Sequence, residues 1–277
     1  MKKLAGILSI TSLGFILAAC GGDDNADGNR EITLGISGSD TTIWDYVGEK
    51  AAEEGIDINI ITFSDYVAPN LALDQGELDL NAFQTISYFD EFVAEHNIDI
   101  VPIGSTVIAP MGLYSEKYNS IDELPDGAQI AMPNEATNMG RALLLLQEAG
   151  LITLSKDAGL TGTAADITDN PKNIEIMPMT SGHTPRAMQD VAASVVNNGI
   201  AVDAGLNPTD DPIARESDTA TPYINLIAAH EDHADDEDFL KIVELYQQED
   251  TAEFIVEHTQ GAQIPTFIPV SELVDYQ

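Results

Sequence analysis

Arg141, in Asn138-Met139-Gly140-Arg141, stands at the head of an apolar helical pattern. Its planar guanidinium can hold two anionic oxygens at once, which a lysine cannot do. With Thr137 or Asn138 as helix N-cap, Arg141 is expected in the first turn. There it would sit beside free backbone N–H groups and the positive end of the helix dipole, a ready anion site. The alternative is an exposed arginine relieving an acidic surface, and residue type alone leaves both open. Asn197 follows an apolar strand and Asn225 sits within one. Asparagine near a strand end often does turn or cap chemistry. A buried asparagine must find partners, and charged groups of a ligand can supply them. Asn198 is the neighbouring candidate if the register shifts by one. Tyr66, Phe83 and Tyr88, taken alone, read as core packing.

Two other constellations point to different chemistry. His230-Glu231-Asp232-His233, followed by Asp235, Asp236, Glu237 and Asp238, has metal-like composition. Its histidines can share a helical face, and carboxylates could complete zinc ligation. Acids also favour the first turn of a helix for dipole reasons, and that is the reading adopted here. Neither a metal nor a cofactor is expected. Serine, histidine and aspartate are all present, but no Gly-x-Ser-x-Gly elbow appears. His183 reads as loop or pocket rim, and no catalytic residue is expected.

The elements that must position these groups alternate. Ile32, Leu34 and Ile36 mark a strand, and Thr41 to Glu54 a helix stopped by Gly55. A second strand is expected at Ile58 to Phe63, with helices at Ala68 to Gln75 and Thr85 to Glu95 and a strand at Ile100 to Ile103. Further strands are expected at Gln129 to Met132, Ile174 to Met177, Ser194 to Val196 and Tyr223 to Ala229. Helices follow the same reading at Asn138 to Ala149, Asp236 to Gln247 and Thr251 to His258. This order argues for an α/β protein with mainly parallel sheet. Loop-like passages at Ala109 to Tyr114 and Gly205 to Pro212 suit crossings between two lobes.

The N-terminus reads as an export signal. Lys2 and Lys3 precede an apolar run of about 14 residues, short of the roughly 20 needed to span a membrane. Leu17-Ala18-Ala19-Cys20 resembles a bacterial lipobox, with Cys20 the lipidated residue. Residues 21–30, rich in Gly, Asp and Asn, read as a tether. The chain carries 47 acidic and 11 basic residues, a formal charge of −36, which argues against nucleic-acid partners and anionic lipid surfaces. The acids are scattered through an ordinary apolar pattern and do not form one disordered tract.

Longer stretches are similar to the NlpA/MetQ family, the methionine-binding lipoproteins of ABC transporters. These are Asp65-Tyr66-Val67-Ala68-Pro69-Asn70, Gly76 to Gln84, Pro133 to Leu146, Asn170-Pro171-Lys172-Asn173, Pro185-Arg186, Val195-Val196-Asn197, Ala204-Gly205-Leu206 and Pro222 to Leu226. The resemblance is collinear from the lipobox to about Gln247. It implies a two-lobed, type II periplasmic-binding-protein-like fold that closes on a free amino acid. The expected division is a signal over 1–20, a tether over 21–30, one lobe from 31–109 plus 207–277, and a second lobe from 110–206.

By the same resemblance, Arg141 takes the ligand carboxylate. Asn197 and Asn225 take its polar head, and Tyr66, Phe83 and Tyr88 wall its side chain. Aromatic walls suit a thioether, since sulfur–ring contacts add roughly 0.3–1.5 kcal/mol. Thr85 stands where the family commonly has His, and Ile200 where relatives often carry Tyr. The smaller Thr85 leaves room for D-methionine, a methionine-containing dipeptide or another amino acid. The implied partners are methionine or a related ligand, an ABC permease with its ATPase, and the cell membrane. The lipid anchor on Cys20 would hold the protein on the extracytoplasmic side.

Overall fold

Alternation sets the first strand. In β1 (Arg30–Ser37), Ile32, Leu34 and Ile36 are buried. Gly35 lies among them because a Cβ there would come 2.4 Å from Leu78 Cδ1. The computed structural model describes residues 29–217 and 221–274. The expected signal and Cys20 lie outside the described residues, as does most of the expected tether. That tether ends sooner than residue 30. Arg30 already belongs to β1, and its guanidinium meets Asp236 and Asp238, each at 2.8 Å, where helix α7 (Glu237–Tyr246) begins.

Two sheets carry the architecture. The first has strand order β13–β4–β12–β3–β1–β2. It contains β2 (Ile56–Phe63), β3 (Leu80–Thr85), β4 (Ile100–Ile108), β12 (Ile224–His230) and β13 (Ile264–Pro265). The second has order β11–β5–β10–β6–β9, with β5 (Gly112–Tyr114), β6 (Gln129–Pro133), β9 (Glu175–Met179), β10 (Ala193–Val196) and β11 (Ala214–Arg215). A small antiparallel ribbon joins β7 (Thr153–Leu154) to β8 (Ile167–Asp169).

Parallel pairing is confined to β2–β1–β3 and β9–β6–β10. Every other pairing is antiparallel, so the expectation of mainly parallel sheet does not hold. The cause is connectivity. The antiparallel neighbours are distant in sequence: β5 pairs with β10 and β11 after the chain has traversed the second sheet, and β12 and β13 pair with β3 and β4 only after it has returned to the first. The register of β12 is irregular, shifting between Leu226 and Ile227 against β3.

Helices cover the sheets. They are α1 (Thr42–Glu53), α2 (Ala68–Asp74), α3 (Ile86–His96), α4 (Ala136–Glu148), α5 (Thr184–Ala187), α6 (Asn198–Asp203), α7, α8 (Glu249–His258) and α9 (Val270–Val274). Asp236 caps α7 by accepting from Asp238 N and Phe239 N. One core lies where α1 and α7 meet the first sheet, with Trp44 and Tyr246 ring centroids 4.8 Å apart. Another apolar cluster involves Leu73, Phe89 and Leu226. The second sheet has its own core, into which α4 projects Ala142, Leu143, Leu145 and Leu146.

The chain leaves the first sheet between β4 and β5 and returns between β11 and β12. This is a two-lobed α/β arrangement. The return comes later than the expected boundary at 206/207, because Ala214 and Arg215 pair with Leu113 and Gly112 of the second sheet. No helix among the described residues is long and apolar enough to cross a membrane.

Candidate ligand-binding site

The ends of β1, β3, β12 and α4 and the start of α6 converge on a cleft that is open to solvent. Its lining includes every residue singled out above for binding: Tyr66, Phe83, Thr85, Tyr88, Arg141, Asn197 and Asn225.

Three of them form an aromatic box. Tyr66 and Phe83 stack with centroids 5.9 Å apart and planes 19° from parallel. Tyr88 meets both edge-on, at 6.1 Å and 6.3 Å. Its hydroxyl donates to Tyr66 O at 2.9 Å. Burial, then the nearby Glu135 charge, pushes both phenols well above their ordinary range, so they stay neutral.

Beneath the box lies a buried carboxamide network. Asn70 Nδ2 donates to Gln84 Oε1 at 2.7 Å, and Gln84 Nε2 returns to Asn70 Oδ1 at 2.7 Å. Asn81 Nδ2 donates to Asn70 Oδ1 at 2.8 Å. A fully paired network of this kind fixes one arrangement, because breaking any member leaves a buried polar group unsatisfied. It locks α2 to β3 on either side of Phe83. Asp65 Oδ1 accepts from Val67 N and Ala68 N, each at 2.8 Å, setting the turn that carries Tyr66.

The polar end of the cleft differs from expectation. Helix α4 begins at Ala136 with Glu135 as N-cap, so Arg141 lies in its second turn. Thr137 and Asn138 are inside the helix, not at its cap. Glu135 takes the cap position without a side-chain capping bond because its carboxylate is held by Ser181 N and Oγ. Arg141 therefore does not sit among free N–H groups.

Nor is its fork open. Nε donates to Glu216 Oε1 at 2.8 Å, and Nη2 to Glu216 Oε2 at 2.6 Å and Ala109 O at 3.0 Å. The guanidinium also lies 4.4 Å from the Tyr223 ring centroid. Burial pushes the Tyr223 hydroxyl up to about 12, with the Arg141 charge opposing. Nη1 remains as the donor available to a ligand.

The asparagines are partly committed. Asn197 Nδ2 donates to Asn138 Oδ1 at 3.2 Å, while its own Oδ1 is buried without a partner. Asn225 Nδ2 donates to Val107 O at 3.0 Å, and Asn225 faces Thr85 across the β12–β3 register. Thr85 caps α3, its Oγ1 accepting from Tyr88 N at 3.3 Å. Asn198 also lines the cleft, held by Ala262 O at 2.9 Å.

Other sequence candidates lie elsewhere. Ile200 borders a second chamber beside the cleft, not the cleft itself. His183 is exposed. His230 and His233 have ring centroids 6.2 Å apart, and His230 Nδ1 accepts from Asp232 N at 3.2 Å. No group of three or more metal-type ligands occurs among the described residues. Sequence reasoning missed Glu216 and Asn138. Asn138 sits one helical turn from Arg141, a spacing that could have revealed it. Glu216 carries no local signal among so many acids.

Residues 32–267 match the NlpA lipoprotein family. The chain belongs to this family. The family match takes in both passages between the lobes and every residue of the cleft. Among relatives, the D-methionine-binding lipoprotein MetQ of Salmonella typhimurium is 41% identical over 241 residues, covering 86% of this chain and 88% of that protein. A nutrient-binding protein from Burkholderia cenocepacia, solved bound to methionine, superposes with a TM-score of 0.81 at 41% identity, covering 85% of this chain and 100% of that one. An ABC-transporter periplasmic substrate-binding protein from Coxiella burnetii gives a TM-score of 0.81 at 34% identity, covering 85% and 100%. The fold is thus that of a two-lobed periplasmic binding protein. NlpA lipoproteins of this group are binding proteins, and this chain is not an enzyme.

Proposed function

We propose that this NlpA lipoprotein captures methionine in the cleft and delivers it to an ABC permease driven by an ATPase. One juxtaposition carries the reading: an aromatic box opens beside the free Nη1 edge of Arg141 and the unpartnered Oδ1 of Asn197. In this reading Nη1 donates to the ligand carboxylate, and Asn197 Oδ1 accepts from its ammonium. Asn225 contributes a second carboxamide. Tyr66, Phe83 and Tyr88 hold the side chain, with Thr85 at its edge. The methionine-bound relative supports this choice of ligand. Lipidation of Cys20 would hold the protein at the extracytoplasmic face of the cell membrane; relatives named as lipoproteins support the lipid anchor itself.

The magnitudes are sufficient. A ligand of about nine heavy atoms has a ceiling near −13 kcal/mol, which corresponds to a nanomolar dissociation constant. Calorimetry with L-methionine, D-methionine, norleucine and glycine tests the reading. Binding of methionine, with norleucine weaker because it lacks the sulfur–ring contact, is the expected result. Absence of heat with either methionine enantiomer overturns it.

A second reading is favoured by one observation. Ser37, Tyr66 and Gly199 also border the adjoining chamber, so the cleft continues past the box. A methionine-containing dipeptide could extend there. Mass spectrometry of the copurifying small molecule separates the two.

A further inference from the structure

Among the described residues lining the cleft, Arg141 is the only cation, and Glu216 pairs with it from outside the lining. The two side chains are 5% and 6% exposed. Glu216 is itself fixed: Oε2 accepts from Met111 N at 3.0 Å, and Glu216 N donates to Met111 O at 3.0 Å. The pair cannot swing apart to offer a ligand the full fork, and its net charge is zero. The only carboxylate in the lining, Asp40, stays ionised. Burial opposes this, but hydrogen bonds from His258 and Thr42 hold its carboxyl below the ordinary range.

We infer that Glu216 sets the charge specificity of the site: by cancelling Arg141 it makes the cleft accept an α-amino acid as a neutral zwitterion and reject the same skeleton carried as an anion. The inference rests on the reading above, in which a ligand carboxylate meets Nη1. A lone buried arginine would favour any carboxylate. A neutral pair leaves an incoming anion with an uncompensated charge in a cleft that also faces Asp40. A zwitterion carries its own compensating ammonium. Rejection by uncompensated charge is a repulsive element of specificity. Glu216 acts through Arg141 and is a positioning residue.

The test compares methionine with its hydroxy-acid analogue, in which a hydroxyl replaces the ammonium, by calorimetry on the wild-type chain and Glu216→Gln. The wild type is expected to prefer methionine by about a hundredfold or more. Glu216→Gln keeps an acceptor for Nε but loses the charge. It is expected to narrow that preference by about tenfold, with the hydroxy acid gaining relative to methionine. Equal weakening of both ligands, or an unchanged ratio, overturns the inference and leaves Glu216 a purely structural partner. Wild-type binding of both ligands with similar affinity overturns it while leaving methionine capture intact. No wild-type binding of methionine overturns the functional reading and this inference together. If Glu216→Gln does not fold, the wild type decides by ranking methioninamide, a cation, against the hydroxy acid. Methioninamide binding more tightly supports the inference, and the reverse order overturns it.

Discussion

Ser39 and Asp203 join the two lobes across the rim of the cleft. Asp203 Oδ1 accepts from Ser39 N at 3.0 Å and from Ser39 Oγ at 2.6 Å. Ser39 follows β1 of the first lobe, and Asp203 is the last residue of α6 in the second. Gly38, with φ of +102°, lets the loop reach the carboxylate, and a Cβ there would lie 3.3 Å from Asp203 Oδ2. Each such hydrogen bond contributes roughly 0.5–1.5 kcal/mol. Asp203→Ala removes both and is therefore expected to speed ligand release by about fivefold to a hundredfold. Stopped-flow dissociation checks this, and an unchanged off-rate removes the latch role.

Arg141→Ala has two separable effects. It removes the proposed carboxylate donor, and it leaves Glu216 buried without its cation. Breaking a buried pair in this way costs about 3–5 kcal/mol. The expected result is both a loss of binding and a large fall in denaturant midpoint. Replacing the two together, Arg141→Met with Glu216→Leu, should recover most of the stability and none of the binding. Recovery of both would show that Arg141 acts only through packing.

Gly140 is constrained by its neighbour. A Cβ there would lie 2.1 Å from Leu160 O, a backbone atom that cannot step aside as a side chain would. Gly140→Ala should push α4 from its seat, displace Arg141 and destabilise the second lobe by about 1–3 kcal/mol. Gly48 in α1 provides the contrast. Its nearest neighbour would be Ile58 Cβ at 3.9 Å, so Gly48→Ala should stabilise by about 0.5–1 kcal/mol through helix propensity. Thermal unfolding of both variants, with opposite signs, checks the argument.

Acid should unfold the protein through specific carboxylates. A hydrogen bond from Arg30 holds Asp236 below its ordinary range, and one from Lys50 does the same for Asp250. Groups depressed in the folded state contribute stability above their unfolded value, near 4, and lose it as pH falls through the folded value. Glu91 runs the other way. Burial and then Glu95 raise it, so its contribution is present at low pH and fades as pH rises. The melting temperature should fall steeply below about pH 4. Arg30→Ala should flatten part of that slope, and a slope unaffected by Arg30→Ala would exclude Asp236 as a contributor.

Local pattern made much of the scaffold legible. Alternating Ile32, Leu34 and Ile36 announced β1, and Gly55, with φ of +83°, stopped the first helix. Strand β3 was hidden because Asn81 and Gln84 are buried polar residues that serve the carboxamide network, so its sequence alternates poorly. Cap preference misled at α4, where Thr137 looks the better cap but Glu135 occupies it. At the site, the motif resemblance picked out the residues that face one another across the cleft. It did not reveal that Arg141 is already half spent, because its partner lies 75 residues away and sequence offers no register between them.

The broken register of β12 divides one strand between two duties. Asn225, before the shift, looks across to Thr85, while Ile227, Ala228 and Ala229, after it, are wholly enclosed. Pleat phase is not carried through such an irregularity. Exchanges at Asn225, whose flanking Ile224 and Leu226 stay in the interior, can therefore accumulate without disturbing the enclosed end, so a lineage could drift toward new ligands while inheriting the same durable frame.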